Sequence, residues 1–418
     1  MLTSVPVGTR SIKEYEHIVD EEIIEKVRQL GKDMKGARIL NISSTAFGGG
    51  VAELLYTLVP LMRDVGLDAD WQVIPGSENF FTITKLFHNA LQGMDLIATP
   101  KMIDTYLKQN ENNADLFDGT YDIVMVHDPQ PASMLSFLKE KGKKTGKWIW
   151  RCHIDLTAAK QSVWGFLEPY LQQYDAAVFT MPQYIKNDFS VDKIAIVPPT
   201  IDPLSSKNID ISQETIDSVL ERYHIDKHRP ILSQVSRFDP WKDPLGVIDA
   251  YRIAKKEFPE VQLLMIASMA TDDPEGFHYY EKTFRHAGGD PDIYLLSNLE
   301  GVGNLEVNAF QRASQIVIQK STREGFGLVV SEALWKERPV IGGDVGGIPL
   351  QVINGKDGFL VSSSEQCGKK VIEILSDPNM AHEMGQFGKE HVRKNFLSPR
   401  QLADYMELFN SLDQSGKL

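Results

Sequence analysis

Along the chain, short runs rich in β-branched and aromatic residues alternate with longer stretches in which apolar residues recur every three or four positions. In the first half the β-rich runs fall at 38–42, 70–74, 121–127, 147–151, 176–180 and 194–197, and helical periodicity fills 51–65, 132–140 and 162–173. Such alternation predicts a parallel sheet with right-handed crossovers. Pro198, Pro199 and Pro203 then crowd one short stretch that neither a helix nor a central strand can continue through, so the interdomain linker is placed there. The pattern restarts with strands predicted at 231–236, 262–267, 293–296, 316–318 and 339–342, and helices at 246–257, 305–313, 326–335 and 368–375. The fold class read from this is α/β, with two Rossmann-like doubly wound domains facing across a cleft. Residues 1–198 form the first domain, 199–396 the second, and 397–418 a helical tail expected to pack back on the first. Ligands of open parallel sheets bind at the carboxyl ends of the strands, so the loops leaving those ends are where chemistry is sought.

Composition narrows the class. A chain of 418 residues with 42% hydrophobic and 24% charged positions is that of a globular protein of two or three domains. No stretch approaches the roughly 20 consecutive apolar residues of a membrane helix. The start, MLTSVPVGTR, has neither the basic nor the apolar region of an export signal. Cys152 and Cys367 are too few for a disulfide framework or a thiolate metal site, so a cytoplasmic protein is expected. The net charge of −13, with no long basic cluster, argues against nucleic-acid binding. An anionic substrate must then be held by a few local cations and backbone N–H groups.

Four motifs supply such groups. Gly48, Gly49 and Gly50 follow a predicted strand and open a helix, where glycine lets the backbone approach a ligand and the helix N-terminus favours an anion. A flexible connection is the plainer reading of that run taken alone. Ser236–Lys242 carries Arg237 and Lys242 in a loop at the second sheet's carboxyl edge, cations of the kind a departing pyrophosphate requires, unless Asp239 and Asp243 simply pair with them. Arg323–Ala333 holds Glu324 on a glycine turn and Glu332 on the following helix, at most about 12 Å apart for eight helical residues. Two carboxylates so spaced suit two sets of sugar hydroxyls, with phosphate at the helix N-terminus between them. In the first half, Val126–Pro131 and Arg151–Asp155 each end a strand with polar groups. A lone histidine is more often structural than catalytic, and His127 suits that role. No metal site is expected, since His153 with Asp155, or Asp272 with Asp273, lacks further ligands at sensible spacing.

The Arg323–Ala333 segment resembles the Glu-x7-Glu signature of retaining glycosyltransferases with two Rossmann domains (GT-B). More narrowly, FHNALQG, VHDPQPA, WRCHIDL, VSRFDPWK, NAFQRAS and REGFGLVVSEALW resemble the trehalose glycosyltransferring synthases, in register over about 38–396. The resemblance implies a donor site made by Gly49, Gly50, Arg237, Lys242, Glu324, Gly325, Phe326, Gly327, Leu328, Val329 and Glu332. Within it, Arg237 and Lys242 neutralise pyrophosphate, Glu332 holds the ribose and Glu324 the glucose. His153 contacts the donor sugar near the reaction centre, and Lys85, Asn89, Asp128 and Gln130, with His153, line the acceptor side. The implied substrates are a nucleoside-diphosphate glucose and glucose, the product α,α-trehalose, with no cofactor, no metal requirement and a homodimer, while the proline linker is expected to hinge the two domains closed on the donor.

Other readings remain open at this point. They are a retaining trehalose phosphorylase, a related transferase with another small acceptor, and a sensor that binds sugar nucleotides without turnover. A dehydrogenase is disfavoured because neither half carries the dinucleotide fingerprint.

Overall fold

The computed structural model describes residues 1–47, 49–269 and 274–414. These form two compact units, one made of residues 1–200 with the stretch from Leu397 onward, the other of 201–396.

The first unit is built on seven strands: β1 (Thr3–Ser4), β2 (Arg38–Ser43), β3 (Asp68–Val73), β4 (Ile123–His127), β5 (Lys147–Arg151), β6 (Ala176–Phe179) and β7 (Lys193–Ile196). Their order is β1-β3-β2-β4-β5-β6-β7, all parallel except β1, which runs antiparallel to β3. Every residue of β4 is buried, as expected of a central parallel strand covered on both faces. The helix Ser398–Gln414 returns to this unit. It packs on the helix Glu21–Asp33, where Lys26 meets Glu407 at 2.8 Å, and Gln401 accepts the Thr200 hydroxyl at 2.7 Å.

The second unit has six parallel strands: β8 (Ile231–Val235), β9 (Gln262–Ala267), β10 (Ile293–Ser297), β11 (Ile316–Gln319), β12 (Val340–Gly343) and β13 (Gly358–Val361). Alternate residues serve opposite faces. Leu232, Leu263 and Met265 join the core on one side, while Ile231, Leu264 and Ile266 join the core on the other. The order β10-β9-β8-β11-β12-β13 reverses direction between β8 and β11. In the first unit, the corresponding reversal lies between β2 and β4. In open α/β sheets the loops leaving such a pair of strands diverge, and ligands bind in the crevice between them.

Most predicted elements stand within a residue or two, and the doubly wound class holds for both units. The sequence pattern passed over β1 and β13, and over the helices Glu21–Asp33, Pro100–Leu116 and Pro378–Asn395. The helix expected from 326 starts instead at Leu328, because Gly327 adopts φ 82°. Only half of the Glu324-to-Glu332 spacing is therefore helical.

Candidate active site

At the switch point of the second unit, the loops after β8 and β11 are laced together. Thr322 donates its N–H to the Trp241 carbonyl at 2.7 Å, Arg323 stacks its guanidinium on the Trp241 ring at 4.7 Å, and Lys320 pairs with Asp243. This lacing places Lys242 against Glu324, residues far apart in sequence. The ammonium lies 2.6 Å from Oε2. The same oxygen accepts from Gln319 at 3.2 Å and Ser321 at 3.1 Å. Burial raises the Glu324 pKa, but the Lys242 charge and these hydrogen bonds outweigh it and hold the carboxyl below its ordinary value. Glu324 is thus a fixed, ionised acceptor.

Arg237 is not drawn into that pair. Its side chain is 63% exposed and, among the described residues, reaches only Asp239, at 3.5 Å. Burial raises the Asp239 pKa, against the pull of Lys242 and Arg237. Gly327 caps the helix Leu328–Trp335 without any side-chain bond, which leaves the first amides, at Leu328 and Val329, for a ligand. Phe326 is buried and Gly325 lies beside Gly347, where a Cβ would come within 2.7 Å of the Phe326 backbone. The turn admits nothing larger.

Glu332 is 1% exposed, which removes the option of a solvated helix residue. Its Oε1 meets Lys207 at 3.2 Å, and its Oε2 is buried without a hydrogen-bond partner among the described residues. A buried carboxylate with an unused oxygen is costly to keep, and a hydroxyl-bearing ligand would satisfy it. Lys336, one turn on, donates to the Glu332 carbonyl at 3.1 Å and to Asn208 at 2.8 Å. Burial pushes its pKa down to about 7, despite the nearby Glu332. Lys207 and Asn208 lie in a stretch that carries no recognisable motif, so sequence reading missed them. The spacing of Glu332 to Lys336, by contrast, is the ordinary helical pair spacing and was available as a signal.

In the first unit, Gly49 (φ 112°) precedes the helix Gly50–Asp64, again with no side-chain cap, and Gly48 lies outside the described residues. At the end of β4, His127 is 3% exposed and Asp128, at φ 64°, is 9% exposed. Asp128 Oδ1 accepts the His153 N–H at 2.8 Å. Burial pushes the Asp128 pKa up to about 6, with the His153 amide and Arg151 acting the other way. Gln130 takes Asn110 on its carbonyl at 3.0 Å and keeps a buried Oε1 without a partner among the described residues. Lys85 and Asn89 share one face of the helix Glu78–Leu91, one turn apart. Arg151 is fully buried, with Nη2 on the Val197 carbonyl at 2.8 Å.

Asp155, weighed as a metal ligand from sequence, spends Oδ1 on the Thr157 N–H at 2.9 Å and hydroxyl at 2.6 Å. Asp272 and Asp273 lie outside the described residues. Among the described residues no cluster of three His, Cys, Asp or Glu is placed to hold a metal ion, and no helix is long and apolar enough to cross a membrane.

The glycosyl transferases group 1 model matches residues 216–391, which spans the laced loops and both glutamates. Together with the two doubly wound units, this defines a glycosyltransferase of the GT-B class. The model for the trehalose synthase N-terminal domain matches residues 41–186. The trehalose synthase of Rubrobacter xylanophilus is 50% identical over 415 residues, 99% of each chain, and that of Thermococcus litoralis is 48% identical over 96% of this chain and 97% of its own. The chain belongs to the trehalose synthase family. A trehalose phosphorylase of Pleurotus pulmonarius is 27% identical over 91% of this chain but only 58% of its own. The same fold occurs in an alpha,alpha-trehalose-phosphate synthase (UDP-forming) from Burkholderia vietnamiensis, with TM-score 0.72 and 15% identity over 92% of this chain and 100% of the other.

Proposed function

We propose that this protein transfers glucose from a nucleoside-diphosphate glucose to free glucose, with retention, giving α,α-trehalose and the nucleoside diphosphate. The observation that carries this reading is the switch-point array of the second unit. It holds one open cation (Arg237), one cation paired to a fixed carboxylate (Lys242 with Glu324) and one buried carboxylate with a spare oxygen (Glu332).

Each fits one part of the donor. Arg237, Lys242 and the free amides at Leu328 and Val329 match the pyrophosphate, whose charge grows as the bond to glucose breaks. Glu324 matches hydroxyls of the transferred glucose, and the spare oxygen of Glu332 a ribose hydroxyl. His153 addresses the transferred sugar, while Asp128, Gln130, Lys85 and Asn89 serve the acceptor. Gly49 and Gly50 are assigned to the donor by the family resemblance, at a helix start that has no side-chain cap.

In the chemical step the bond from glucose C1 to the phosphate oxygen breaks, and its electron pair leaves on the phosphate. The acceptor hydroxyl attacks C1 from that same face and gives its proton to the departing phosphate oxygen. The residues supply position and charge stabilisation rather than a covalent partner. Free glucose suits the acceptor side better than a sugar phosphate, because Arg151, the cation that ends β5, is fully buried.

The test is incubation of the purified protein with glucose and ADP-, UDP- or GDP-glucose in the presence of a chelator. The expected products are a non-reducing disaccharide and an equal amount of nucleoside diphosphate. Glucose 1-phosphate from trehalose and inorganic phosphate, with no product from any sugar nucleotide, would instead make it a phosphorylase.

A further inference from the structure

The polar groups at the end of β4 form a chain whose proton positions can be worked out atom by atom. Asn41, in the middle of β2 and 1% exposed, points its amide nitrogen at the Asp70 carbonyl, 3.4 Å away. Its Oδ1 therefore faces His127 Nε2, at 3.1 Å. An amide oxygen only accepts, so Nε2 of His127 carries the hydrogen. A neutral imidazole has one N–H, which leaves His127 Nδ1 as a bare acceptor. Its partner at 3.1 Å is His153 Nε2, which must then be the donor. The two rings lie nearly parallel, 17° apart, which favours this in-line contact. His153 is left with a bare Nδ1, and that atom has no hydrogen-bond partner among the described residues.

The chain stays neutral because its surroundings oppose a positive charge. Burial, then Arg151, pushes the His127 pKa down to about 3. Burial, Arg151, His127 and His88 together hold His153 well below its ordinary value. Asp128, the nearby carboxyl, is engaged by the His153 backbone N–H and not by either ring.

We infer that Asn41 and His127 are positioning residues that lock His153 in the Nε2–H tautomer, so that its Nδ1 accepts a hydrogen bond from a hydroxyl of the transferred sugar. In water the two tautomers of a free imidazole interconvert, and half-wrong rings would present a donor where an acceptor is required. A buried amide two side chains away removes that ambiguity. The identity of the hydroxyl-bearing ligand rests on the functional reading above; the tautomer does not.

The tautomer is read directly on full-length protein labelled with 15N-histidine, using long-range proton–nitrogen correlation at pH 7 without substrate. The signals are assigned by their loss in His127→Gln and His153→Gln. Both rings are expected as Nε2–H; an Nδ1–H ring or an imidazolium at either position overturns the inference. The second arm is Asn41→Asp, which keeps the shape but supplies a charge that protonates His127. His127 Nδ1 then becomes a donor, His153 Nε2 must accept, and His153 turns to Nδ1–H. Turnover of the sugar nucleotide is expected to fall about tenfold, the worth of one misdirected hydrogen bond. An unchanged His153 tautomer and unchanged turnover in folded Asn41→Asp would contradict the inference. A wild-type protein that turns over no sugar nucleotide would remove the donor reading and leave the tautomer result standing.

Discussion

At the carboxyl edge of the second sheet the polar groups are ions held by one another, Lys242 with Glu324 at 2.6 Å and Lys207 with Glu332 at 3.2 Å. At the matching edge of the first sheet they form a neutral chain of Asn41, His127 and His153, with both links at 3.1 Å. Each arrangement suits a different ligand. Under the proposed function a pyrophosphate brings charge, which Arg237, 63% exposed and 3.5 Å from Asp239, is placed to meet. A sugar brings only hydroxyls, and orientation of donors and acceptors is what distinguishes them. The helix after β2 and the helix after β11 each begin after a glycine at positive φ and lack a side-chain cap. That shared feature leaves backbone amides free in each unit, so the contrast lies in the side chains.

The contrast is broken most severely on the ionic side. Lys242→Ala is expected to lower kcat by about 10²–10³, the usual cost of removing one preorganised group at developing charge. Glu324→Gln is expected to cost a similar amount. The double variant should lose far less than the product of the two, because the pair acts as a unit; fully multiplicative losses would show that the 2.6 Å contact has no functional weight.

Glu332→Gln sharpens the division between binding and chemistry. It keeps the shape but loses the charge, and should raise the donor KM by about tenfold with kcat within about twofold, consistent with a hydrogen bond to a charged group. A drop in kcat at unchanged KM would move Glu332 from the ribose to the reacting sugar.

On the neutral side the exception is Asp128. Its carboxyl is at about 6 in the fold against an ordinary 3.8, so its ionisation costs the fold stability above that window and nothing below it. Asp128→Asn tolerates the left-handed backbone and should be more stable than wild type at pH 8 by about 1–3 kcal/mol, scaling as one pKa unit to about 1.4 kcal/mol. The advantage should shrink as pH falls through 6 and vanish near 4, while activity drops at every pH. Denaturant melts at pH 4 and pH 8 measure it; equal differences at both would refute the assignment. The smallest effect expected is Arg323→Ala, which loses the stack on Trp241 and should weaken donor binding only two- to fivefold.

Much of this was legible in the sequence. Strand and helix alternation placed the two doubly wound units, and the REGFGLVVSEALW run located Glu324 and Glu332 because glycines and charges mark a loop-to-helix passage. Other parts had no local signature. Lys242 meets Glu324 only because β8 and β11 are neighbours across the reversal of strand order, a fact of topology. Lys207 reaches Glu332 from a polar segment without periodicity. β13 lies beside β12 so closely that a Cβ on Gly358 would fall 2.0 Å from the Val340 carbonyl, a contact between separate segments that local pattern does not declare. Asn41 did leave a trace, as a polar residue between Leu40 and Ile42 in the middle of β2. Such a residue calls for a partner, and the partner is what gives it meaning.

The claim on which the account turns is that the second unit holds a nucleoside diphosphate by its ions while the first does not. Calorimetric titration of ADP, UDP and GDP into wild type, Arg237→Ala, Glu332→Gln and Asn41→Asp tests it directly. The account predicts saturable binding of at least one nucleotide to wild type, weakened about tenfold or more in Arg237→Ala and Glu332→Gln and unchanged in Asn41→Asp. No binding of any of the three, or binding indifferent to Arg237 and Glu332, would contradict it.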